Sequence, residues 1–180
     1  HSFPTRRSSD LIEYERKIFH RFLLEGRGSI SDEQRDMLHD MYLSSINYID
    51  HLIDNLFSSL QEAGQLENTL IIITSDHGEA FGEHGRFLHG GTPHRPLNHV
   101  PLIIIPPKHM NLKPIRVSTP VPLLDLLPTL TEIFQLSDPT PRDGQSLTPL
   151  MRGDQGYENK PIFSQSPFEL AVIKDNRKLI

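Results

Sequence analysis

From Met37 to Leu60 the apolar residues Met37, Leu38, Met41, Tyr42, Ile46, Ile49, Leu52, Ile53, Leu56, Phe57 and Leu60 recur at three- and four-residue intervals. That spacing predicts one long amphipathic helix. Ser31 followed three residues later by Gln34 fits a capping box at its start, and Gly64 supplies a left-handed stop at its end. The helix is expected to pack its apolar stripe, methionines and aromatics included, into a core. The period then changes. "TLIIIT" at Thr69–Thr74 and "VPLIII" at Val100–Ile105 are apolar without alternation and rich in β-branched residues, as in strands covered on both faces. Pro106 and Pro107 end the second run.

"PVPLLDLLPTLTEIF" returns to helical spacing, but Pro128 lies inside it, which predicts two short helical pieces. "SLTPLMRG" reads as a short helix stopped by Gly153, and "PIFSQS" and "ELAVIKDNRKLI" as short strands. Ile12–Glu25 is expected to be helical. "FPTRRSSDL" at Phe3–Leu11 has neither periodicity nor an apolar face; it back-translates to the end of a common short-read sequencing adapter. Residues 1–11 are therefore expected to be a non-native tail. The final strand pattern runs to the last residue, so the chain is expected to be an internal piece, lacking sequence on both sides.

Composition narrows the class. With 180 residues, 36% hydrophobic and 23% charged, the chain can bury a core and falls among globular sequences. A net charge of −5 and a pI near 6.0 argue against nucleic acid as a partner. No apolar run approaches the ~20 residues that span a bilayer, so no membrane segment is expected. Cysteine is absent, which removes disulfides and thiolate metal sites. Histidine stands out: five of the ten fall between His77 and His99.

The candidate chemistry sits between the two apolar strands, in "TSDHGEAFGEHGRFLHGG" at residues 74–91. Ligands of open α/β sheets collect beyond the carboxyl ends of strands, and Asp76 and His77 stand there. Gly78 allows the backbone turn that lets a carboxylate and a neutral imidazole converge on one cation. The same tripeptide also serves as a plain turn or helix cap. His84, His89, His94 and His99, taken singly, fit surface or hydrogen-bonded core histidines better than ligands.

The ordered set of motifs resembles the sulfatase family of the alkaline phosphatase superfamily. "ENTLIIITSDHGEAFGEHGRFLHGG…NHVPLIIIPP" is similar to the family's C-terminal metal motif, and the long helix before it fits the same pattern. "TPVPLLDLLPTLTEIFQL" resembles the family's Asp-x-x-Pro-Thr segment (Asp125, Pro128, Thr129), "DGQSLTPLMRG" the Gly-x-Ser-Leu-x-Pro-Leu segment, and "AVIKDNRKLI" the Lys-Leu-Ile strand. The resemblance implies an alkaline-phosphatase-like α/β sandwich, with a largely parallel or mixed central sheet flanked by helices. Residues 12–153 would be the C-terminal part of the catalytic domain and 154–180 the start of a small C-terminal antiparallel β subdomain.

It also implies roles. Asp76 and His77 would be metal ligands for one divalent ion, Ca²⁺ in first place with Mn²⁺ or Zn²⁺ as alternatives. His89, thirteen positions after Asp76, would be catalytic, with His84 in the same loop able to reach the substrate. Many sulfatases carry Lys at the His89 position; His occurs in phosphoethanolamine transferases and some bacterial sulfatase-like hydrolases. The family's nucleophile, a formylglycine made from Cys or Ser in sulfatases and a Thr in the phospho-transferases, lies in the N-terminal half. The expected activity is hydrolysis of a small-molecule or glycan sulfate ester, with this piece inactive alone. The alternatives are a phospho- or phosphonoester hydrolase or phosphoethanolamine transferase, and a non-catalytic α/β domain with incidental histidines. A periplasmic or extracellular location follows from the resemblance, and the oligomeric state stays open.

Overall fold

A computed structural model describes residues 30–89, 91–137 and 140–180; the expected tail and the expected helix at Ile12–Glu25 lie outside them. The described residues divide into two compact units, 30–66 with 76–89, and 67–75 with 91–137 and 140–180.

The first unit is built on α1, Asp32–Glu62. Its start is the predicted capping box: Gln34 N–H donates to Ser31 Oγ at 3.2 Å, and Ser31 N–H to Gln34 Oε1 at 3.0 Å. Asp32 and Glu33 add negative charge at the positive end of the helix dipole. Gly64, at φ 65°, follows the last turn as the left-handed stop. The apolar stripe is less covered than its periodicity predicts. Leu38 is buried, but Ile46, Ile49, Leu52 and Leu56 are about half exposed, between 45% and 55%. Periodicity marks which face is apolar, not which element lies over it. Among the described residues, the cover comes at the N-terminal half, where His39 and Tyr42 each meet the Phe81 ring edge-on at 5.3 Å.

Phe81 belongs to a hairpin of β2, Ala80–Phe81, and β3, Phe87–Leu88, joined by a 3-10 turn at Glu83–Gly85. The sequence reads this stretch only as a glycine-rich loop. Its tight end is closed by Gly82 N–H donating to Arg86 O at 2.8 Å and by Phe81 N–H donating to Glu83 Oε2 at 2.7 Å. Gly82, at φ 117°, occupies a conformation open to glycine, and a Cβ there would crowd the Phe87 ring at 3.3 Å.

In the second unit, β1, Ile71–Thr74, pairs antiparallel with β4, Leu102–Ile105, in the register Ile71↔Ile105 to Thr74↔Leu102. β4 is not covered on both faces: it alternates, with Ile103 51% and Ile105 38% exposed, whereas Ile71, Ile72 and Ile73 of β1 are all partly covered. Between them lies the short α2, Arg95–Asn98, started by Pro96 in its first turn. Pro128 does not divide the next apolar segment. A 3-10 turn at Leu123–Asp125 runs into α3, Leu126–Ile133, with Pro128 in the first turn of α3, where its missing N–H costs nothing. α4, Thr148–Arg152, ends at Gly153, φ 78°.

The C-terminal sheet is the antiparallel meander β5 (Ile162–Gln165), β6 (Leu170–Lys174) and β7 (Arg177–Leu179), with Ala171 fully buried. It grips the segment leading into α2. Thr92 Oγ1 donates to Glu169 Oε2 at 2.6 Å, and Lys178 Nζ donates to Pro93 O and, at 2.8 Å, to Asn98 Oδ1. Burial pushes the Lys178 ammonium below its ordinary pKa.

The largest fully buried side chains described in this unit are polar: Thr129, Thr148 and Asp125, each at most 1% exposed. Asp125 Oδ1 accepts from Gln145 N–H at 2.9 Å, and Oδ2 from the Tyr157 hydroxyl at 2.6 Å. Thr129 Oγ1 donates to Asp125 O at 2.6 Å and accepts from Leu147 N–H at 2.8 Å. Gly144 is required by contact: a Cβ there would sit 2.3 Å from Leu124 O. The Asp-x-x-Pro-Thr and Gly-x-Ser-Leu segments are thus two halves of one buried hydrogen-bond knot. Burial, together with the bond to Asp125, holds the Tyr157 phenol well above its ordinary pKa.

Candidate functional site

Asp76 and His77 follow the last residue of β1 by two and three positions. The Asp76 side chain is 87% exposed and that of His77 46%. His77 N–H donates to Asp76 Oδ1 at 2.9 Å, a local turn that folds the carboxylate back toward its neighbour. His77 Nδ1 lies 2.9 Å from Gly78 O. A carbonyl oxygen only accepts, so Nδ1 carries a proton, and in the neutral ring Nε2 is the nitrogen with the lone pair. Nε2 is 3.8 Å from Asp76 Oδ1.

That donor set fits a divalent cation. Two ligand bonds of ~2.0–2.5 Å span this gap, and a metal-binding imidazole ordinarily donates its other N–H to a carbonyl or carboxylate, as His77 does. Two ligands do not complete a coordination shell. Among the described residues no group of three or more His, Cys, Asp or Glu side chains is placed to hold an ion.

The hairpin returns His89 to this pair. Its ring stacks on His77 with centroids 4.4 Å apart and planes inclined by 19°. His89 Nδ1 donates to Glu79 Oε2 at 3.1 Å. The Glu79 side chain is 20% exposed, and its Oε1 is buried without a hydrogen-bond partner. His84 lies elsewhere, exposed in the turn at the closed end of the hairpin, with φ 54°. The loop therefore brings Asp76, His77 and His89 together and leaves His84 at the opposite end of the β2–β3 ladder.

Sequence reasoning passes over Glu79. The signal that finds it is strand register: Ala80 faces Leu88 and Phe81 faces Phe87, so one further step sets Glu79 across from His89. A groove of about 460 Å³ in the second unit runs along α3 and is lined by Pro128, Glu132, Arg142 and Gly144 among others. It contains none of these loop residues.

The sulfatase family model matches residues 13–136, and the chain belongs to that family. It is 34% identical over 118 residues to arylsulfatase K of Xenopus laevis, an alignment covering 66% of this chain and 22% of the relative. It is 31% identical over 136 residues to an N-acetylglucosamine-6-O-sulfatase of Bacteroides thetaiotaomicron, covering 73% and 23%. Among solved structures, the phosphonate monoester hydrolase SpPMH of Silicibacter pomeroyi superposes with a TM-score of 0.66 at 33% identity, covering 74% of this chain and 26% of that one. The fold is accordingly alkaline-phosphatase-like. The chain spans about a quarter of the length of the relatives it matches. Among the described residues no helix is long and apolar enough to cross a membrane.

Proposed function

We propose that this chain carries the C-terminal share of the active site of a sulfatase-like hydrolase, acting on sulfuric monoesters through a covalent nucleophile supplied from upstream sequence. The observation that carries this reading is the approach of Asp76 Oδ1 to His77 Nε2, 3.8 Å apart, with His89 stacked on His77. Asp76 and His77 would hold one divalent cation, Ca²⁺ first and Mn²⁺ or Zn²⁺ as alternatives. When bound, that ion would act as a Lewis acid toward the ester oxygens.

His89 would present Nε2 to the ester, because Nδ1 is engaged by Glu79. With the ring protonated on both nitrogens, Nε2–H would hydrogen-bond the leaving oxygen, or donate its proton to it, as the ester bond breaks. His84, at the hairpin tip, would meet only a substrate long enough to extend along the hairpin, such as a glycan. The named activity of the N-acetylglucosamine-6-O-sulfatase relative supports a sulfated sugar or small molecule as the substrate class. The half-exposed stripe of α1 supports a larger parent domain, since soluble proteins rarely leave so long an apolar strip open.

The test is the intact protein with Asp76→Ala and His77→Ala, assayed for bound metal and for aryl sulfate hydrolysis. Wild type is expected to bind one ion and turn over, and both variants to lose both properties. Unchanged metal affinity in the two variants would instead favour a non-catalytic α/β domain with incidental histidines. Residues 12–180 alone are expected to be inactive; catalytic turnover by them would remove the need for an upstream nucleophile.

A second reading is favoured by one residue. His89 stands where many sulfatases carry Lys, and SpPMH is 33% identical to this chain. A phosphoester or phosphonate monoester hydrolase, or a phosphoethanolamine transferase, would be recognised by faster turnover of phosphorus than of sulfate monoesters by the intact protein.

A further inference from the structure

We propose that Glu79 is the positioning residue of this site: it fixes which nitrogen His89 presents to the ester. The inference rests on the functional reading above and deepens it.

Three independent features of the hairpin converge on this pair. The first is register, which sets Glu79 opposite His89 one step beyond Ala80↔Leu88. The 3.1 Å contact thus spans two positions that the strand pairing sets side by side. The second is burial. Glu79 is the least exposed member of the loop's acid–imidazole set, at 20%, against 58% for His89 and 87% for Asp76. A carboxylate taken out of water with one oxygen lacking a donor is costly, and its Oε2 is spent entirely on the imidazole. Groups kept at such a cost cluster at functional sites.

The third feature is the backbone. Leu88, immediately before His89, has φ 63°, a conformation unfavourable for a branched side chain and one found where surrounding structure over-determines the geometry. Phe81, packed edge-on by His39 and Tyr42, anchors the strand opposite. Stacking on His77 then sets the plane of the His89 ring, while the Glu79 bond sets its rotation about that plane. With both fixed, Nε2 is the nitrogen left to meet substrate, beside the Asp76–His77 pair.

The decisive comparison uses the intact protein as wild type, Glu79→Gln and Glu79→Ala. Two readouts are needed: steady-state kinetics on aryl sulfate and phenylphosphonate, and a long-range ¹H–¹⁵N spectrum of ¹⁵N-histidine protein, which reports the nitrogen that holds the proton on the neutral His89 ring. The Gln amide oxygen can still accept from Nδ1, so Glu79→Gln is expected to keep the Nδ1–H form and most of kcat. Glu79→Ala is expected to shift His89 toward Nε2–H and to lower kcat by about 10–100-fold with little change in KM.

An Nδ1–H form unchanged in Glu79→Ala would overturn the inference, as would equal kinetic loss in the Gln and Ala variants. Should wild type turn over neither substrate class while the tautomer still follows residue 79, the functional reading fails and the positioning role stands. If Glu79→Ala does not fold, the Gln variant decides alone: loss of the Nδ1–H form in a folded Glu79→Gln protein sinks the proposal.

Discussion

Two motif-bearing regions of this molecule use polar residues in opposite ways. In the histidine loop, Asp76, His77 and His89 stand 87%, 46% and 58% exposed, held by a two-rung hairpin and a stacked ring pair. In the Asp125 knot, Asp125, Thr129 and Thr148 are at most 1% exposed, and both carboxylate oxygens have donors. A buried polar group with all partners in place fixes a unique arrangement of chain; an exposed one with unused lone pairs is able to bind something else. Both regions read as motifs in the sequence, yet one leaves its polar groups open to solvent and the other ties distant stretches of backbone together.

This contrast predicts that substitutions should separate activity from stability. The largest effect is expected for Asp76→Ala or His77→Ala in the intact protein. Ester hydrolysis should fall about a thousandfold or more, while the unfolding free energy from denaturant titration moves by no more than surface changes do, about 0.5 kcal/mol. A large loss of stability in either variant would erase the distinction between the regions.

Next comes Asp125→Ala, which removes the buried acceptor of the part-buried Gln145 amide and Tyr157 hydroxyl. A destabilisation of about 3–5 kcal/mol is expected, read as faster hydrogen exchange at Gln145 and Leu147. Gly144→Ala should act on the same amides, because its Cβ collides with the Leu124 carbonyl. Metal affinity at the histidine loop should be unchanged in both.

A smaller effect is expected for Tyr157→Phe, about 1–2 kcal/mol. It also carries a pH signature. The folded phenol is held protonated above its unfolded value of 10.0, so above that pH the unfolded chain binds fewer protons than the folded one. The slope of stability with pH is then negative: the Tyr157 contribution is whole below about pH 10 and fades as pH rises further. Wild type should lose this increment in alkali, and Tyr157→Phe should lack that part of the slope. The smallest effect is Ser31→Ala, about 1 kcal/mol, confined to exchange in the first turn of α1.

What the sequence made legible follows from range. Ser31 and Gln34 are three residues apart, so their capping box is visible without a structure. The glycine stops at Gly64 and Gly153, and the β-branched cores of β1 and β4, are equally local. Glu79 was missed because its partnership depends on hairpin register, which two short strands inside a glycine-rich run do not announce. The Asp125 motif was visible, but its meaning was not, since Tyr157 lies 32 residues away. Pro128 was read as a breaker because periodicity does not reveal where the first turn begins. The exposed stripe of α1 shows the same limit, as a helix declares its apolar face without declaring its cover.

The reach of the Asp125 knot sets a boundary for dissecting the protein. Its hydrogen bonds tie Asp125 to Gln145 and to Tyr157 across the chain between them. A cut placed anywhere from 126 to 156 would separate a carboxylate from the donors that let it be buried. Proteases that nick exposed loops elsewhere should therefore leave a resistant core running from before Leu124 to beyond Tyr157. A piece that keeps the Asp125 carboxylate paired must reach a tyrosine hydroxyl, a limit set by that bond and not by the end of any helix or strand.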